Sequence, residues 1–213
     1  MTSSVRFFGI KAMTIGAALS MTAGVAFAGD NTIPTSAIIT SLKAPPVTRS
    51  LSGDPQALEK KQREITLINK VRNRPTRSLS MDERDQLQSL TIDKPKIDLE
   101  INFDYNSAAI SRGSISAVQH LGEALTDQQL HGQTFIVSGY TDAVGGDAFN
   151  QDLSNRRADT IKKYLVDHYH IAASDLVTVG YGKTHLKDAD HPDAGVNRRV
   201  QVVNSEAQST AQQ

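Results

Sequence analysis

The hydrophobic residues of positions 97–204 switch between two periods, and this switching restricts the chain to folds that mix strands with helices. Residues 97–103, Ile-Asp-Leu-Glu-Ile-Asn-Phe, alternate apolar and polar side chains strictly, which predicts a half-buried strand. Apolar residues then recur at helical spacing: Ile115, Val118, Leu121 and Leu125. This second pattern predicts an amphipathic helix packed on the sheet that the strand begins.

The rest of residues 97–204 repeats the same alternation. Three further strands are predicted from short apolar runs: residues 135–139, 176–180 and 200–203. A long helix is expected between the second and third strands, with Ala158, Ile161 and Leu165 on its inner face. The order β-α-β-α-β-β indicates the α+β class, as a two-layer α/β sandwich in which helices cover one face of a mixed sheet. The polar tail over residues 205–213 is expected to be disordered.

Residues 1–28 have the pattern of a secretory signal. Arg6 and Lys11 precede an apolar run, which ends in the small-x-small sequence Ala26-Phe27-Ala28. An uncleaved anchor helix is the alternative, but the run is shorter than the roughly 20 residues that a membrane span requires. We therefore expect cleavage after Ala28 and delivery of the mature chain to the periplasm.

The segment between the signal and the domain divides into two parts. Residues 29–53 are rich in Ser, Thr and Pro and have no sustained periodicity, so we expect a flexible linker. Residues 54–96 are predicted to form a helical, basic arm. Asp54 is suited to cap its first helix, and Pro55 is suited to the first helical position.

The first arm helix combines an apolar stripe with basic side chains. The stripe consists of Leu58, Ile65, Ile68 and Val71, and the basic residues beside it are Lys60, Lys61, Arg63, Lys70 and Arg72. Such a helix can rest on an anionic membrane surface or dock on an envelope protein. Because the stripe is narrow and lacks aromatic anchors, a solvated helix packed loosely on the neighbouring domain is the favoured interpretation. A second helix over residues 81–90 is predicted from Ser80 as its cap and Glu83 three positions later.

Charge and cysteine content exclude several classes of protein. The 23 basic and 23 acidic side chains cancel, which argues against the general phosphate attraction of a nucleic-acid-binding protein. The cancellation hides an uneven distribution, with 12 basic and 8 acidic residues over 29–96 but 9 basic and 15 acidic over 97–213. The absence of Cys excludes disulfides, thiolate metal sites, a Cys nucleophile and a lipid anchor attached through Cys.

The domain carries no sequence signal for catalysis or for a cofactor. The glycine-rich segments 139–146 and 180–182 lack the Lys and the third glycine that nucleotide-binding loops require. The six histidines have no metal-ligand spacing, and Ser154 lies outside a Gly-x-Ser-x-Gly context. No paired carboxylates are marked as a general acid and base. We therefore expect a non-enzymatic protein without a metal or cofactor.

A set of polar residues is expected to meet at one edge of the sheet, where sites usually lie. They come from strand ends and from the start of the long helix: Asn106, Thr141, Asp142, Asn150, Asp152, Arg157, Asn197, Arg198 and Arg199. An Asp and an Arg on opposite walls of one cleft can bind the ammonium and carboxylate groups of a zwitterion. The alternative, favoured by composition alone, is that Asp142 and Arg157 form a structural ion pair with each other.

Five ordered motifs resemble the OmpA-like peptidoglycan-binding domain family. These are residues 101–107 (Ile-Asn-Phe-Asp-Tyr-Asn-Ser), 139–142 (Gly-Tyr-Thr-Asp), 150–158 (Asn-Gln-Asp-Leu-Ser-Asn-Arg-Arg-Ala), 179–182 (Val-Gly-Tyr-Gly) and 197–200 (Asn-Arg-Arg-Val). The resemblance covers residues 97–204 and does not extend to residues 29–96. Five motifs in the same order are far more specific than any one of them.

The resemblance implies noncovalent binding to the diaminopimelate of the peptidoglycan stem peptide. It assigns the ligand's side-chain ammonium to Asp142 and the adjacent carboxylate to Arg157. It assigns supporting contacts to polar residues of the same motifs: Asn106, Asn150, Thr141 and Arg198. In this interpretation Arg156 faces solvent and Arg199 has a structural role.

The expected protein is a periplasmic tether between peptidoglycan and an envelope partner. Residues 54–96 are the expected contact for that partner, either an envelope protein or a membrane surface, and removing residues 29–96 is expected to spare binding to the wall. Two alternatives remain open at this point. One is an accessory subunit of a stator or secretion assembly with an altered ligand, and the other is an enzyme that modifies peptidoglycan.

Overall fold

The computed structural model describes residues 32–44, 55–104 and 106–206. Within these ranges lie helices α1 (Thr35–Leu42), α2 (Pro55–Val71), α3 (Met81–Thr91), α4 (Ile115–Thr126) and α5 (Asp147–Tyr169). The strands are β1 (Lys96–Leu99), β2 (Phe135–Tyr140), β3 (Leu176–Gly182) and β4 (Val200–Asn204). The signal segment and the expected cap Asp54 lie outside the described residues.

The four strands form one mixed sheet in the order β1-β4-β2-β3. Strand β4 is antiparallel to both β1 and β2, whereas β2 and β3 are parallel. The predicted α+β class, element order and mixed sheet are therefore confirmed. The first strand is shorter than expected and ends at Leu99. The N–H of Ile101 bonds to the carbonyl of Leu99 at 3.0 Å, and Phe103 forms an isolated bridge with Ile110, so the chain leaves β4 here.

Helices α1, α4 and α5 cover one face of the sheet. Phe135 and Val137 of β2 pack there against Leu121 of α4 and against Ile161 and Leu165 of α5, and all five side chains are buried. The apolar stripes that predicted α4 and α5 are thus the faces that these helices bury. Each such side chain contributes about 1.5–3 kcal/mol to folding.

Helix α5 packs closely on β2 and β3 because glycines face it. A Cβ atom at Gly139 would lie 2.5 Å from the carbonyl oxygen of Ser154, and one at Gly180 would lie 2.5 Å from the backbone nitrogen of Asn155. The N–H of Gly182 donates to Ser154 Oγ at 2.8 Å. Any side chain at Gly139 or Gly180 would push the helix away from the sheet, so these glycines determine the distance between α5 and the sheet.

The prediction of a flexible linker is wrong for the part of residues 29–53 that the structure describes. Helix α1 forms there, and its Ile38 and Leu42 are fully buried in the core beneath α4. The Asn204 side chain donates a 2.9 Å hydrogen bond to the carbonyl of Leu42. Tertiary packing stabilises this short helix. The sequence did not predict it, because two apolar residues four positions apart give too weak a periodicity.

The second face of the sheet is covered by the arm, so the expectation of helices on one face only is incomplete. The buried arm residues are Ile68, Val71, Leu79, Leu87 and Leu90. They pack against the sheet residues Ile136, Tyr140, Val177, Val179, Tyr181 and Val203. The arm is therefore a third layer of the domain rather than a loosely packed helix, although Leu58 and Ile65 of its predicted stripe remain exposed.

A buried threonine fixes the connection between α2 and α3 to the edge of the domain. Thr76 lies in a short 3₁₀ helix, and its hydroxyl bonds to the Asp159 carboxylate of α5 and lies 2.5 Å from the Thr178 hydroxyl of β3. Thr178 in turn donates to the same Asp159 oxygen at 2.9 Å. Because a buried polar group is costly when unpaired, this three-residue network ties the arm to one position.

The first residues of the expected disordered tail are ordered. Ser205 donates its backbone N–H and its hydroxyl to the carbonyl of Thr134, at 3.0 and 2.7 Å. Glu206 accepts a 2.8 Å hydrogen bond from the Thr134 hydroxyl. The order of the chain thus extends two residues beyond β4, and residues 207–213 lie outside the described part of the chain.

Packing of the arm predicts a large effect for truncation of Leu87, which is fully buried against the sheet. Leu87→Ala should lower the free energy of unfolding by about 2–5 kcal/mol, because it leaves a cavity between α3 and the sheet. Leu58→Ala, the same change at a side chain that is 60% exposed, should cost no more than about 0.5 kcal/mol. Urea unfolding of both variants measures the difference, and equal small losses would contradict a packed third layer.

The predicted capping box of α3 is present and holds a buried carboxylate. Ser80 accepts from the Glu83 N–H, and its own N–H donates to Glu83 Oε2 at 2.9 Å. Arg74 and Lys70 contact Glu83 Oε1 at 2.6 and 3.0 Å. The hydrogen bond from the Ser80 backbone, followed by those from Arg74 and Lys70, lowers the pKa of Glu83 to about 2.

This lowered pKa predicts a dependence of stability on pH. The stabilisation by ionised Glu83 is complete above the pKa of the unfolded chain, near 4.3, and is lost as the pH falls towards about 2. Glu83→Gln keeps an acceptor for Ser80 but removes the charge, so it should destabilise at pH 7 and approach the wild type at pH 2. Glu59→Gln, on the exposed side of α2, is the matched control. An unchanged gap between wild type and Glu83→Gln from pH 7 to pH 2 would refute this assignment.

Candidate functional site

Polar residues from four chain segments meet where β2 and β3 end and β4 begins. The N–H of Thr141 donates to the carbonyl of Gly182 at 2.8 Å, and the N–H of Ala143 donates to the carbonyl of Pro192 at 2.9 Å. These bonds join the loop after β2 to the loops after β3 and before β4. The structure thereby brings the predicted residues of these loops to one sheet edge.

Asp142 is paired with Arg198 rather than with Arg157. Arg198 Nη1 lies 2.7 Å from Asp142 Oδ2, and Asp142 Oδ1 accepts the N–H of Val144 at 3.1 Å. The Asp142 side chain is 15% exposed and that of Arg198 is 44% exposed. The pairing of Asp142 with Arg157, which composition favoured, is not found among the described ion pairs.

Arg157 is held as a nearly buried cation on α5. Its side chain stacks over the Phe103 ring at 4.8 Å, its Nε donates to the carbonyl of Ser107 at 3.2 Å, and the residue is only 8% exposed. Burial lowers the pKa of this guanidinium, the charge of Asp142 raises it, and the charge of Arg198 lowers it again. A guanidinium nevertheless stays protonated in proteins. Among the described residues Nη1 and Nη2 have no hydrogen-bond partner, so the fork remains available.

Asn106 lies in the turn that also holds Arg157. Its φ of 51° places it in the left-handed region, which Asn tolerates better than most residues. The turn is closed by hydrogen bonds from the Asp104 N–H to the Ala109 carbonyl and from the Ser107 N–H to the Asp104 carbonyl. Asn106 is exposed, and the next residue, Ser107, provides the carbonyl that Arg157 contacts.

Thr141 and Asn150 are buried at the base of the site. Asn150 donates from Nδ2 to the carbonyl of Val144 at 2.9 Å, which fixes the loop after β2 to the start of α5. The Thr141 hydroxyl has no hydrogen-bond partner among the described residues, although it is buried. Asn150 therefore supports the site by holding the backbone of the loop after β2.

Asn197 and Arg199 belong to the motif at residues 197–200, and the structure shows what their side chains contact. Asn197 is fully buried, accepts from the N–H groups of Lys187 and Asp188, and donates to three carbonyls of the loop before β4. Arg199 stacks over the Tyr140 ring at 3.8 Å, and Tyr140 stacks on Tyr181. Burial raises the pKa of Tyr140 to about 12, although the charge of Arg199 opposes this. These residues hold the backbone next to Asp142 and Arg198. Arg156, by contrast, pairs with Asp152 on the outer side of α5.

Three exposed apolar side chains on the site's loops were not predicted from the sequence: Val144, Phe149 and Val196. Val144 donates to Asp142, Phe149 precedes Asn150, and Val196 lies two residues before Arg198. Large apolar residues inside otherwise polar loops are a sequence signal that could have identified them. They give the surroundings of the charged groups an apolar character.

The described residues contain no group of three or more His, Asp or Glu side chains arranged to hold a metal ion. Of the helices in the described ranges, none has the length and hydrophobicity of a membrane span. The guanidinium, carboxylate and amide groups of the site can bind a ligand that carries both ammonium and carboxylate groups.

Comparison with curated proteins finds relatives in bacterial outer membranes. Outer membrane porin F of Pseudomonas fluorescens is 35% identical over 116 residues, which cover 53% of this chain and 35% of that protein. Outer membrane protein A of Escherichia coli O157:H7 is 31% identical over 86 residues, which cover 40% of this chain and 25% of that protein. The chain spans about a third or less of the length of these relatives.

Similar solved structures include the OmpA-like domain of FopA1 from Francisella tularensis, with a TM-score of 0.45, 22% identity, and coverage of 53% of this chain and 73% of that one. The peptidoglycan-associated lipoprotein from Burkholderia pseudomallei has a TM-score of 0.41 and 21% identity, covering 48% of this chain and 86% of that one. The OmpA family itself matches residues 102–199, which contain every residue of the site. This part of the chain is therefore similar to the OmpA family.

Proposed function

We propose that this protein is a non-catalytic cell-envelope protein that binds peptidoglycan noncovalently, through the diaminopimelate of the stem peptide. Similarity to the OmpA family supports a peptidoglycan-binding role. Relatives named outer membrane porin F and outer membrane protein A support a location in the bacterial envelope. Together with the signal-like residues 1–28, which lie outside the described residues, they favour the periplasm.

One observation carries the proposal: a nearly buried guanidinium and a carboxylate of opposite charge are held at the same sheet edge by different elements. Asn150 joins the Asp142 loop to α5, and Arg157 follows two helical turns later on the same face of α5. The charge of Asp142 acts on Arg157 without a direct ion pair between them. The two groups are thus separate and can each take one end of a zwitterion.

In the proposed complex Asp142 binds the side-chain ammonium of diaminopimelate, and the free Nη1 and Nη2 atoms of Arg157 bind the neighbouring carboxylate as a fork. Phe103 and the Ser107 carbonyl hold the guanidinium in place before the ligand arrives. This preorganisation lowers the entropy lost on binding. Asn106 is exposed and is suited to a supporting hydrogen bond, whereas the Thr141 hydroxyl is buried and could make one only after a local rearrangement.

Two charge-assisted contacts contribute about 1.5–3 kcal/mol each before the cost of immobilising the ligand. A single site is therefore weak, and firm attachment to the wall requires many copies or a second contact.

The envelope partner assigned to residues 54–96 has less surface available than the sequence indicated, since the inner face of the arm is buried on the sheet. Removal of residues 29–96 should also uncover that face and destabilise the domain, rather than leave wall binding intact.

The proposal predicts that Asp142→Asn and Arg157→Gln lose retention on purified peptidoglycan sacculi. Asp142→Asn removes one charge without a change in volume, and Arg157→Gln removes the guanidinium. Each should weaken binding about 10-fold or more, by the loss of one charge-assisted contact. Cosedimentation of the full chain with sacculi, at several protein concentrations, measures the apparent affinity.

Arg156→Gln is the matched control, because Arg156 neighbours Arg157 on α5 but points outward and pairs with Asp152. It should be retained like the wild type. Equal retention of the wild type and all three variants, with circular dichroism showing that each is folded, would overturn the diaminopimelate assignment. Release of soluble muropeptides from the sacculi during the assay would contradict the non-catalytic role.

A further inference from the structure

The arm and the rest of the described chain carry opposite net charges. Residues 55–96 hold 10 basic and 6 acidic side chains, whereas residues 97–206 hold 9 basic and 15 acidic side chains. Because the arm forms its own layer on one face of the sheet, the positive charge is concentrated on that side of the molecule. An anionic surface therefore attracts the arm and repels the remainder of the domain.

Helix α2 buries apolar side chains against the sheet only towards its C-terminal end. Its buried residues are Ile68 and Val71, whereas residues 58–63 are all exposed. Leu58 and Ile65, which are 60% and 43% exposed, are seven positions apart and therefore lie on one face of the helix. That face lies about 100° around the helix axis from the buried residues, so packing on the sheet leaves it open.

Basic side chains border this apolar face. Lys61 is exposed on the same face as the two apolar side chains, and it has no hydrogen bond or ion pair among the described residues. Lys60 pairs with Asp93 at 3.4 Å. Arg63 pairs with Glu59 at 3.7 Å, and all four of these paired side chains are more than half exposed. Exposed ion pairs contribute little stability, so these cations are available to other anions.

Helix α2 lies at the end of the sheet opposite to the candidate site. Arg72, the residue after α2, donates from Nη2 to the Thr134 hydroxyl at 2.8 Å, and Thr134 immediately precedes β2. The Asp93 that Lys60 contacts lies three residues before β1, and β1 begins where β4 ends. The site lies where β2 and β3 end and β4 begins. A surface that contacts α2 therefore does not cover the site.

A second copy of the chain and an acidic peptide fit this part of the arm less well than an anionic surface does. A twofold antiparallel pair of α2 helices can set Leu58 of one copy opposite Ile65 of the other. The same register sets Lys60 opposite Arg63, so like charges meet. The cavity of about 1010 Å³ between α2 and α3 is lined by three basic and three acidic side chains: Lys60, Arg63, Lys70, Glu59, Glu64 and Asp85. Because these charges cancel, the cavity offers no net attraction to an acidic peptide.

We propose that α2 lies along an anionic phospholipid membrane, with its two exposed apolar side chains among the lipid headgroups and its neighbouring cations on the lipid phosphates. The contacting residues are Leu58, Lys60, Lys61, Arg63 and Ile65. Apolar side chains bordered by Lys and Arg on one exposed helix are typical of helices that lie in a membrane interface. This inference names the envelope partner of the arm, and it rests on the proposed function for the location of the chain in the envelope. One molecule then contacts the membrane and peptidoglycan from opposite ends of its sheet.

Cosedimentation with vesicles tests the proposal on residues 29–213, the expected exported chain. Every described residue belongs to one compact unit that begins at Thr32, so this chain keeps the fold. The wild type should bind vesicles of phosphatidylglycerol and phosphatidylethanolamine about 10-fold more tightly than vesicles of phosphatidylcholine. Raising the salt concentration should reduce the difference. Equal binding to the two kinds of vesicle would overturn the proposal and leave the exposed face of α2 to a protein partner.

Two variants of α2 locate the contact. Lys61→Glu, and the double change of Leu58→Gln with Ile65→Gln, should each weaken binding to the anionic vesicles about 10-fold. Both alter exposed side chains and introduce residues that favour helices, so the fold is kept. Lys163→Glu is the matched control, because Lys163 is exposed on α5, on the other face of the sheet, and it should bind like the wild type. An equal loss in Lys163→Glu would contradict a contact through α2. Light scattering that shows dimers, abolished by the double change, would assign the face to a second copy instead.

Retention on sacculi separates this inference from the proposed function. The α2 variants should be retained like the wild type, since α2 lies away from the site. Failure of the wild type to bind anionic vesicles, with normal retention on sacculi, overturns the membrane contact alone. Binding to anionic vesicles without retention on sacculi overturns the proposed function alone.

Discussion

The close packing of α5 on β2 and β3 is the constraint on which the site depends. Gly139 and Gly180 leave no space for a side chain between the sheet and the helix, and Ser154 bonds directly to the backbone of Gly182. The Gln151 side chain adds a 2.6 Å hydrogen bond to the carbonyl of Gly180. This fixed distance between α5 and the sheet positions Arg157 and Asn150 relative to the loop that carries Asp142. Recognition of two opposite charges at a set spacing requires a rigid frame of this kind.

The arm extends the same frame to the other face of the sheet. The Tyr181 hydroxyl donates to the carbonyl of Arg84, and the Tyr140 hydroxyl contacts the Gln88 side chain at 3.3 Å, so α3 bonds to residues at the ends of β2 and β3. Tyr140 immediately precedes Thr141 and Asp142. The arm thus supports the backbone from which the site's loop departs. Its inner face contributes to the stability of the domain, whatever its outer face contacts.

Local periodicity was sufficient to predict most of the sheet and of its covering helices, because each of these elements buries one regular stripe. It failed for α1, whose only strong signal is Ile38 and Leu42 in a segment rich in Ser and Thr. Periodicity also failed to predict that the arm packs on the sheet. The apolar stripe of α2 includes Leu58 and Ile65, which are exposed, so the stripe does not show which part of the helix is buried. Both errors arise because tertiary contacts, rather than local periodicity, determine that α1 forms and that the arm packs on the sheet.

The sequence predicted that the candidate residues would meet at one sheet edge, but it did not predict which of them pair. Asp142 and Arg198 are 56 positions apart, and nothing in their local sequence distinguishes this pair from Asp142 with Arg157. We propose that these groups bind diaminopimelate, and an NMR titration of the full chain with free meso-diaminopimelate tests this most directly. Shifts confined to the Nε–H of Arg157 and Arg198 and to the amides of residues 141–150 are the predicted result. Absence of shifts at these positions at millimolar ligand, or shifts centred on another surface, would contradict the account.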